Sequence, residues 1–204
     1  ITVATILNEE KVSQEKIQSY EKQITDYLND KNIRTLVRVM RSEDPFKGAI
    51  QLVNSYGLGS LIPNTILLGD TEEESHQTAY AEMISHFYKS KRNVIILQNI
   101  NLLGFKNKKK IDIWWGGIKG NGGLMMILGY LIQNSPHWQN IEICIKMVVP
   151  SKSALLDAQK NLSNIISDMR INLKSKIIVS EQEKFWDILK RESSKNDLEI
   201  GRAS

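Results

Sequence analysis

Strand-like and helix-like segments alternate along the whole chain, and this alternation constrains the fold more than any other feature of the sequence. Eight short runs of apolar or β-branched residues have the composition of strands. Between them, apolar residues recur every three or four positions, as on one face of a helix. Strands that alternate with helices form parallel sheets with helices on both faces, so the sequence predicts an α/β fold. The predicted strands are residues 2–7, 35–40, 65–68, 93–100, 111–115, 141–149, 176–179 and 197–200.

The second half of the chain repeats the rhythm of the first half. Each of its predicted strands begins about 104–110 residues after its counterpart, which predicts two copies of one βαβαβαβ unit. We place a first α/β subdomain at residues 1–104, a basic connector at 105–110 and a second subdomain at 111–204, whose last strand is cut close to its end. The connector lysines are either solvated or contact anionic lipid head groups or an acidic partner; they are Lys106, Lys108, Lys109 and Lys110.

Two helix starts carry capping signals. Asp44 precedes Pro45, which is the pattern of an N-cap followed by a first-turn proline. Ser180 and Glu183 have the spacing of a capping box, and this predicts a helix that opens directly after Ser180.

Composition excludes several classes of protein. The chain is 41% hydrophobic and 25% charged, as soluble globular proteins are, and this excludes a disordered or collagen-like chain. Its longest apolar run, residues 124–132, has nine residues, whereas a membrane span needs about 20. The net charge of +4 comes without the basic and aromatic stripe of a nucleic-acid binder. The sequence starts at Ile1 without a signal-peptide pattern, so we interpret it as a piece of a larger protein.

Residues that could perform catalysis are scarce. The single cysteine, Cys144, excludes an internal disulfide and a cysteine-based zinc site, and its place in an apolar strand favours a buried role. None of the three histidines is four residues from another, which is the spacing of a helical metal site. The sequence has neither a Gly-x-Ser-x-Gly elbow nor a Walker loop. We therefore expect no catalytic residue, metal, cofactor or enzymatic activity.

A glycine-rich turn is the best candidate for binding a ligand. It joins a predicted strand to a helix, and ligands of open α/β sheets bind beyond the carboxyl ends of strands, where a helix start offers unpaired N–H groups to an anion. The alternative is that the glycines only form a tight turn, since their spacing matches no nucleotide-binding motif. The candidate residues for an anion or nucleotide are Gly116, Gly117, Gly120, Asn121, Gly122 and Gly123.

The strand before this turn contains two tryptophans and a carboxylate. Successive side chains of a strand point to opposite faces, so Trp114 and Trp115 predict a strand that is covered on both faces. Asp112 lies between two isoleucines. Its carboxylate is either at a wet end of the strand or paired with a cation, and we favour the pairing.

Two segments resemble the signatures of cation-chloride cotransporters. Residues 57–69 read Gly-Leu-Gly-Ser-Leu-Ile-Pro-Asn-Thr-Ile-Leu-Leu-Gly, and residues 111–115 read Ile-Asp-Ile-Trp-Trp, followed by a Gly-Gly-Leu helix that contains Tyr130-Leu131. Trp138 also has a counterpart in that family. The positions that carry the resemblance are Gly57, Gly59, Pro63, Asn64, Gly69, Asp112, Trp114, Trp115, Gly122 and Gly123.

The resemblance implies the cytoplasmic C-terminal domain of an electroneutral ion symporter of the Na-K-Cl type, within the amino acid-polyamine-organocation superfamily. It implies two universal-stress-protein-like, flavodoxin-like halves, a homodimer, and a location at the cytoplasmic face of the membrane beneath the protein's own transmembrane domain. The transport sites of the family lie in membrane helices, so no ion ligand is assigned to this chain.

Departures from the family pattern suggest its prokaryotic branch. Gly120 and Asn121 stand where acidic residues are common, and Gly129 replaces a proline of the eukaryotic pattern. Prokaryotic relatives are often named amino acid permeases. The alternative function is a nucleotide-binding, universal-stress-like sensor domain of a bacterial permease. The Gly57–Gly69 signature itself serves either packing or contact with the membrane domain or a twin subunit.

Overall fold

The computed structural model describes residues 1–8, 12–57, 59, 61–71, 73–98, 109–116, 121–169 and 173–202. The chain divides into two compact units, Ile1–Ile100 and Asn101–Ser204. Strands and helices alternate in both units, and every strand pair that the structure describes is parallel. The predicted α/β fold is therefore confirmed.

The first unit carries its described strands in two separate two-stranded sheets. β1 pairs with β2, and β3 pairs with β4. Its elements in chain order are β1 (Thr2–Leu7), α1 (Gln14–Asp30), β2 (Leu36–Arg41), α2 (Pro45–Ser55), β3 (Thr65–Gly69), a 3-10 turn (Glu74–His76), α3 (Gln77–Lys89) and β4 (Asn93–Leu97).

The local sequence explains the helix starts of the first unit. The Ser13 hydroxyl accepts a hydrogen bond from the Lys16 N–H at 3.3 Å and caps α1. The Asp44 carboxylate accepts the N–H groups of Phe46 at 2.9 Å and Lys47 at 3.2 Å, and Pro45 takes the first turn of α2. The predicted cap at Asp44 is confirmed.

The second unit builds one four-stranded parallel sheet in the order β7-β6-β5-β8. β5 begins at Lys110, so this lysine belongs to the strand rather than to the predicted connector. The elements are β5 (Lys110–Trp114), α4 (Gly122–Gln133), a 3-10 turn (Pro136–Trp138), β6 (Glu142–Val149), a 3-10 turn (Lys152–Ala154), α5 (Leu155–Met169), β7 (Lys174–Val179), α6 (Phe185–Ser193) and β8 (Leu198–Ile200).

Strand pairing differs between the two halves. β3 and β4 are hydrogen-bonded neighbours in the first unit. Their predicted counterparts, β7 and β8, lie at opposite edges of the sheet in the second unit. The order and spacing of the strands along the chain match in the two halves, but they do not determine which strands pair.

Both faces of the sheet in the second unit are covered. Ile111 and Ile113 point into a buried cluster that includes Met125 of α4 and Leu162 of α5. A Cβ atom added to Gly129 would lie 2.9 Å from the Ile113 Cδ1, so the missing side chain lets α4 approach β5 closely. On the opposite face, Trp114 and Ile178 pack against Ile188 of α6. The predicted interior position of β5 is therefore confirmed.

The predicted start of α6 is wrong. The helix begins at Phe185, and its N-cap residue Lys184 makes no side-chain capping bond. Glu181 and Gln182 have φ angles of 43° and 84°, which are left-handed and cannot continue a helix. The Ser180–Glu183 contact is instead a backbone bond of 2.7 Å between the Glu183 N–H and the Ser180 carbonyl.

Candidate functional site

A buried ion pair lies at the centre of the second unit. Asp112 of β5 and Lys146 of β6 form a salt bridge, and their exposed fractions are only 3% and 6%. The Lys146 ammonium also donates a 2.6 Å hydrogen bond to the carbonyl of Glu192 at the end of α6, and it lies 5.6 Å from the centre of the Trp114 ring. The predicted cation partner of Asp112 is therefore confirmed as Lys146.

Further donors complete this ion pair. The Ser193 hydroxyl donates to Asp112 Oδ2 at 2.6 Å and accepts a 3.1 Å hydrogen bond from the Trp114 indole N–H. The Asn196 side-chain amide donates to the same carboxylate oxygen. A buried charge costs free energy unless it is paired and hydrogen-bonded, and here Oδ2 has three donors. These residues form one polar cluster that holds the end of α6 against the sheet, so its role is structural. Its members are Asp112, Trp114, Lys146, Ser193 and Asn196.

Two groups beside the polar cluster titrate away from their usual range. Glu199 of β8 is paired in register with Asp112, and burial together with the charge of Asp112 raises the pKa of Glu199. Burial also raises the pKa of the Cys144 thiol, and Asp112 adds to this. A raised pKa lowers the fraction of the cysteine that is present as thiolate, which is the reactive form. Cys144 therefore has the electrostatics of an unreactive cysteine, although it is half-buried rather than buried as its sequence context predicts.

A second salt bridge lies beside the polar cluster. Lys176 of β7 lies 2.5 Å from the Glu192 carboxylate, and this hydrogen bond is the main cause that lowers the pKa of Glu192. The Glu192 residue thus binds Lys176 through its side chain and Lys146 through its backbone carbonyl.

The structure places only part of the predicted glycine-rich site. Gly117 and Gly120 lie outside the described residues. The turn leads into a helix, as the sequence predicts: α4 begins at Gly122, and Asn121 is its N-cap without a side-chain capping bond. A Cβ atom added at Gly116 or at Gly123 would meet no other atom within 4 Å. Anion or nucleotide binding by this turn stays a prediction.

The Gly57–Gly69 signature has clear local roles in the first unit. Gly57 has a φ of 129°, and a Cβ there would lie 2.6 Å from the Leu61 carbonyl oxygen, so only glycine fits. Gly59 is also left-handed, with a φ of 58°. The Asn64 carbonyl accepts the Asn93 N–H at 2.8 Å. These contacts position the entry of the chain into β3, next to Pro63.

The end of this signature is bound to α3. The Gly69 carbonyl accepts a 2.6 Å hydrogen bond from the Tyr80 hydroxyl.

The connector lysines are described only at Lys109 and Lys110. The Asp197 carboxylate accepts both of their backbone N–H groups, at 3.0 and 2.9 Å. Lys106 and Lys108 lie outside the described residues. Contact of these four lysines with lipid stays a prediction.

The exposed face of α4 is a feature that sequence reasoning missed. Its buried side contains Met125, Met126 and Gly129, whereas Ile127, Tyr130 and Leu131 are exposed. These exposed positions have the i, i+3, i+4 spacing of one helix face. The twelve residues of α4 include no charged side chain. An apolar helix without a polar face is the signal that could have revealed this surface.

The described residues form neither a metal-binding group nor a membrane-spanning helix. No group of three or more histidine, cysteine or acidic side chains in those parts of the chain is arranged to hold a metal ion. No described helix is both long and apolar enough to cross a bilayer.

Comparisons with known proteins agree with the resemblance seen in the sequence. The sequence profile of solute carrier family 12 matches residues 1–105 and 70–188. Potassium/chloride cotransporter 3 of Caenorhabditis elegans is 30% identical over 138 residues, which are 62% of this chain and 12% of that protein. The chain thus spans a small part of the length of this relative.

A solved structure has the same fold. The crystal structure of the cytoplasmic domain of a prokaryotic cation chloride cotransporter superposes with a TM-score of 0.65 and 16% identity, covering 87% of this chain and 67% of that one. The predicted resemblance and the predicted fold class are both confirmed.

Proposed function

Because this chain belongs to solute carrier family 12, we propose that it is a cytoplasmic regulatory and dimerisation domain of a cation-chloride cotransporter. In this proposal the domain lies at the cytoplasmic face of the membrane, beneath a transmembrane domain that performs the symport. The domain itself catalyses no reaction. Its partners are that transmembrane domain and a second copy of the same chain.

The observation that carries the proposal is the exposed face of α4, formed by Ile127, Tyr130 and Leu131. Isolated exposed hydrophobic residues are common, but several large apolar side chains exposed together on one helix face are typical of an interaction site. A tyrosine at its centre fits this interpretation because aromatic residues are enriched in interfaces.

A second copy is the occupant that fits this face. α4 has no charged residue, so two copies related by a twofold axis bring no like charges together. Gly129 seats α4 on β5, and both faces of that sheet are covered, so the helix is presented by a rigid support. A stable interface buries about 800 Å² on each partner, and the α4 face would form its apolar centre.

Sedimentation equilibrium of this chain tests the proposal. We expect a species of twice the 23.3 kDa chain mass. Leu131→Asp places a charge in the centre of the interface, and we expect it to weaken dimerisation by at least about 100-fold. The matched control is Leu156→Asp on α5, because Leu156 is 75% exposed but lies outside the α4 face.

Two results would overturn the proposal. One is a monomer at every concentration tested. The other is a dimer that Leu131→Asp and Leu156→Asp weaken equally, which would place the contact elsewhere.

A further inference from the structure

A second exposed surface lies in the first unit, at the turn between α1 and β2. Ile33 in the turn is 46% exposed and Leu36 at the start of β2 is 66% exposed. Tyr27, one turn before the end of α1, is exposed as well. Large apolar side chains thus occupy three nearby positions in a stretch of ten residues.

The backbone holds this turn in one conformation. Asn32 has a left-handed φ of 57°, its N–H donates to the Asn29 carbonyl at 2.8 Å, and the Ile33 N–H donates to the Leu28 carbonyl at 2.8 Å. This is the pattern of a Schellman motif, in which the residue at the place of Ile33 usually packs back on the helix. Here Ile33 stays half-exposed although the turn around it is fixed.

Leu36 extends the apolar surface onto the β1–β2 sheet. It shares a face with Arg38, and the neighbours of these two residues on β1 are Thr2 and Ala4. α2 covers the far end of this face, since a Cβ on Gly48 would lie 2.8 Å from Ile6 Cγ2. At the near end the Tyr56 hydroxyl lies 2.7 Å from the Thr2 hydroxyl on the β1 side, whereas Leu36, Arg38 and Ala4 are exposed.

Basic residues surround these apolar side chains. Lys31, Arg34 and Arg38 are exposed, and Asp30 is the one acidic residue between positions 30 and 38. The Lys31 ammonium lies 5.8 Å from the centre of the Tyr27 ring. None of the ion pairs formed among the described residues includes Arg34 or Arg38. Both guanidinium groups are therefore available to an outside anion.

We propose that this basic-apolar surface rests on the anionic lipid head groups of the bilayer. The combination explains the occupant, because a lipid interface accepts the exposed apolar side chains as well as the guanidinium groups. Apolar side chains enter the boundary between head groups and acyl chains, while arginine binds the phosphates above it. The surface consists of Ile33, Arg34, Leu36 and Arg38.

This inference rests on the proposed function, because a cytoplasmic domain of a cotransporter is tethered close to a bilayer. It goes beyond that function by assigning the lipid contact to the first unit, at a distance along the chain from the lysine connector. It also gives the first unit a role that the α4 face does not provide.

Co-sedimentation with vesicles tests the inference. We expect this chain to bind vesicles that contain about one-third phosphatidylserine, and to bind pure phosphatidylcholine vesicles at least about tenfold more weakly. Each basic side chain near an anionic surface strengthens binding about fivefold, so Arg34→Gln with Arg38→Gln should weaken it about 25-fold. Ile33→Ser with Leu36→Ser should weaken the part of binding that persists at about 0.5 M salt.

The matched control removes two exposed lysines elsewhere in the first unit, Lys22→Gln with Lys89→Gln, and should change binding less than about threefold. Equal weakening by the control pair and by the arginine pair would overturn the inference, as would no binding to anionic vesicles. Competition by millimolar inorganic phosphate would overturn it in favour of a free anion. Loss of binding only in Lys109→Gln with Lys110→Gln would move the contact to the connector.

Sedimentation equilibrium of the same samples separates this inference from the proposed function. A dimer that does not bind anionic vesicles overturns the lipid contact alone. A monomer that binds them through the basic-apolar surface overturns the dimerisation role alone.

Discussion

The second unit carries its strands in one four-stranded sheet covered on both faces, whereas the first unit divides its described strands between two two-stranded sheets. Among the described residues, 21 hydrophobic side chains are buried, and only five of them belong to the first unit. Burial of apolar surface is the main favourable term in folding. The second unit is therefore the stable scaffold, and the first unit offers exposed surface.

The strand sequences explain this difference. β6 reads Glu-Ile-Cys-Ile-Lys-Met-Val-Val and is almost continuously apolar, as strands buried on both faces are. β2 reads Leu-Val-Arg-Val-Met-Arg, and its exposed Leu36 and Arg38 keep part of one face in water. The same α/β rhythm thus produces a buried sheet in one unit and a half-exposed one in the other.

The largest expected effect comes from breaking the polar cluster of the second unit. Asp112→Ala leaves the Lys146 ammonium buried without its counter-charge, and we expect a loss of about 3–5 kcal/mol in the free energy of unfolding. Urea unfolding followed by tryptophan fluorescence measures this unit selectively, because all four tryptophans lie in it. Asp112→Leu with Lys146→Met should recover most of the loss, since it removes both charges.

The matched control in the first unit is Ser13→Ala, which removes a helix cap and should cost about 1 kcal/mol, measured by circular dichroism during urea unfolding. An Asp112→Ala protein that loses no more stability than the Ser13→Ala protein would show that the polar cluster is not the structural centre of the second unit.

A smaller effect is a pH dependence of opposite sign in the two units. The pKa of Glu199 is raised in the folded state by burial, so the folded protein holds this proton more tightly than the unfolded chain. Ionising Glu199 in the folded state costs stability. This cost is absent below the pKa of the unfolded chain, about 4.3, and grows as the pH rises through the pKa of the folded state. Glu199→Gln should therefore stabilise the second unit at pH 7 and lose that advantage near pH 4.

In the first unit the backbone N–H of Lys47 is the largest cause that lowers the pKa of Asp44. The stabilisation by this carboxylate is present above the unfolded pKa and is lost as the pH falls through the folded pKa. Asp44→Asn should therefore destabilise the protein at pH 7 and have little effect in acid. Circular dichroism during urea unfolding follows Asp44→Asn, and tryptophan fluorescence follows Glu199→Gln. The same sign of pH dependence for both variants would contradict the structure.

Local patterns predicted much of the second unit. Trp114 next to Trp115 predicted a strand covered on both faces. A carboxylate between isoleucines suggested a wet strand end or a cation partner, and the favoured partner is the one found. The identity of the cation depended on the register of β5 against β6, which no local pattern contains. Lys146 was still a visible signal, because a lysine inside an apolar strand needs a partner.

Other features depended on tertiary structure. The equal spacing of strands in the two halves predicted equal pairing, but pairing is decided by which strand edges meet in space, and β3–β4 has no counterpart. The capping box at Ser180 was wrong because left-handed residues at Glu181 and Gln182 intervene. Which side chains of α4 are exposed depends on which side of the helix contacts β5, and only the structure shows this contact. Ligand binding at the Gly116–Gly123 turn stays a prediction.

Native-state hydrogen exchange of this chain tests the central claim, that stability is concentrated in the second unit. Amides of β5 and β6 should exchange only through global unfolding of their unit, whereas those of β3 and β4 should exchange at least about 100-fold faster through local opening. Protection of β3 and β4 equal to that of β5 and β6 would contradict the claim, because it would mean that two thin sheets are as stable as the fully covered one.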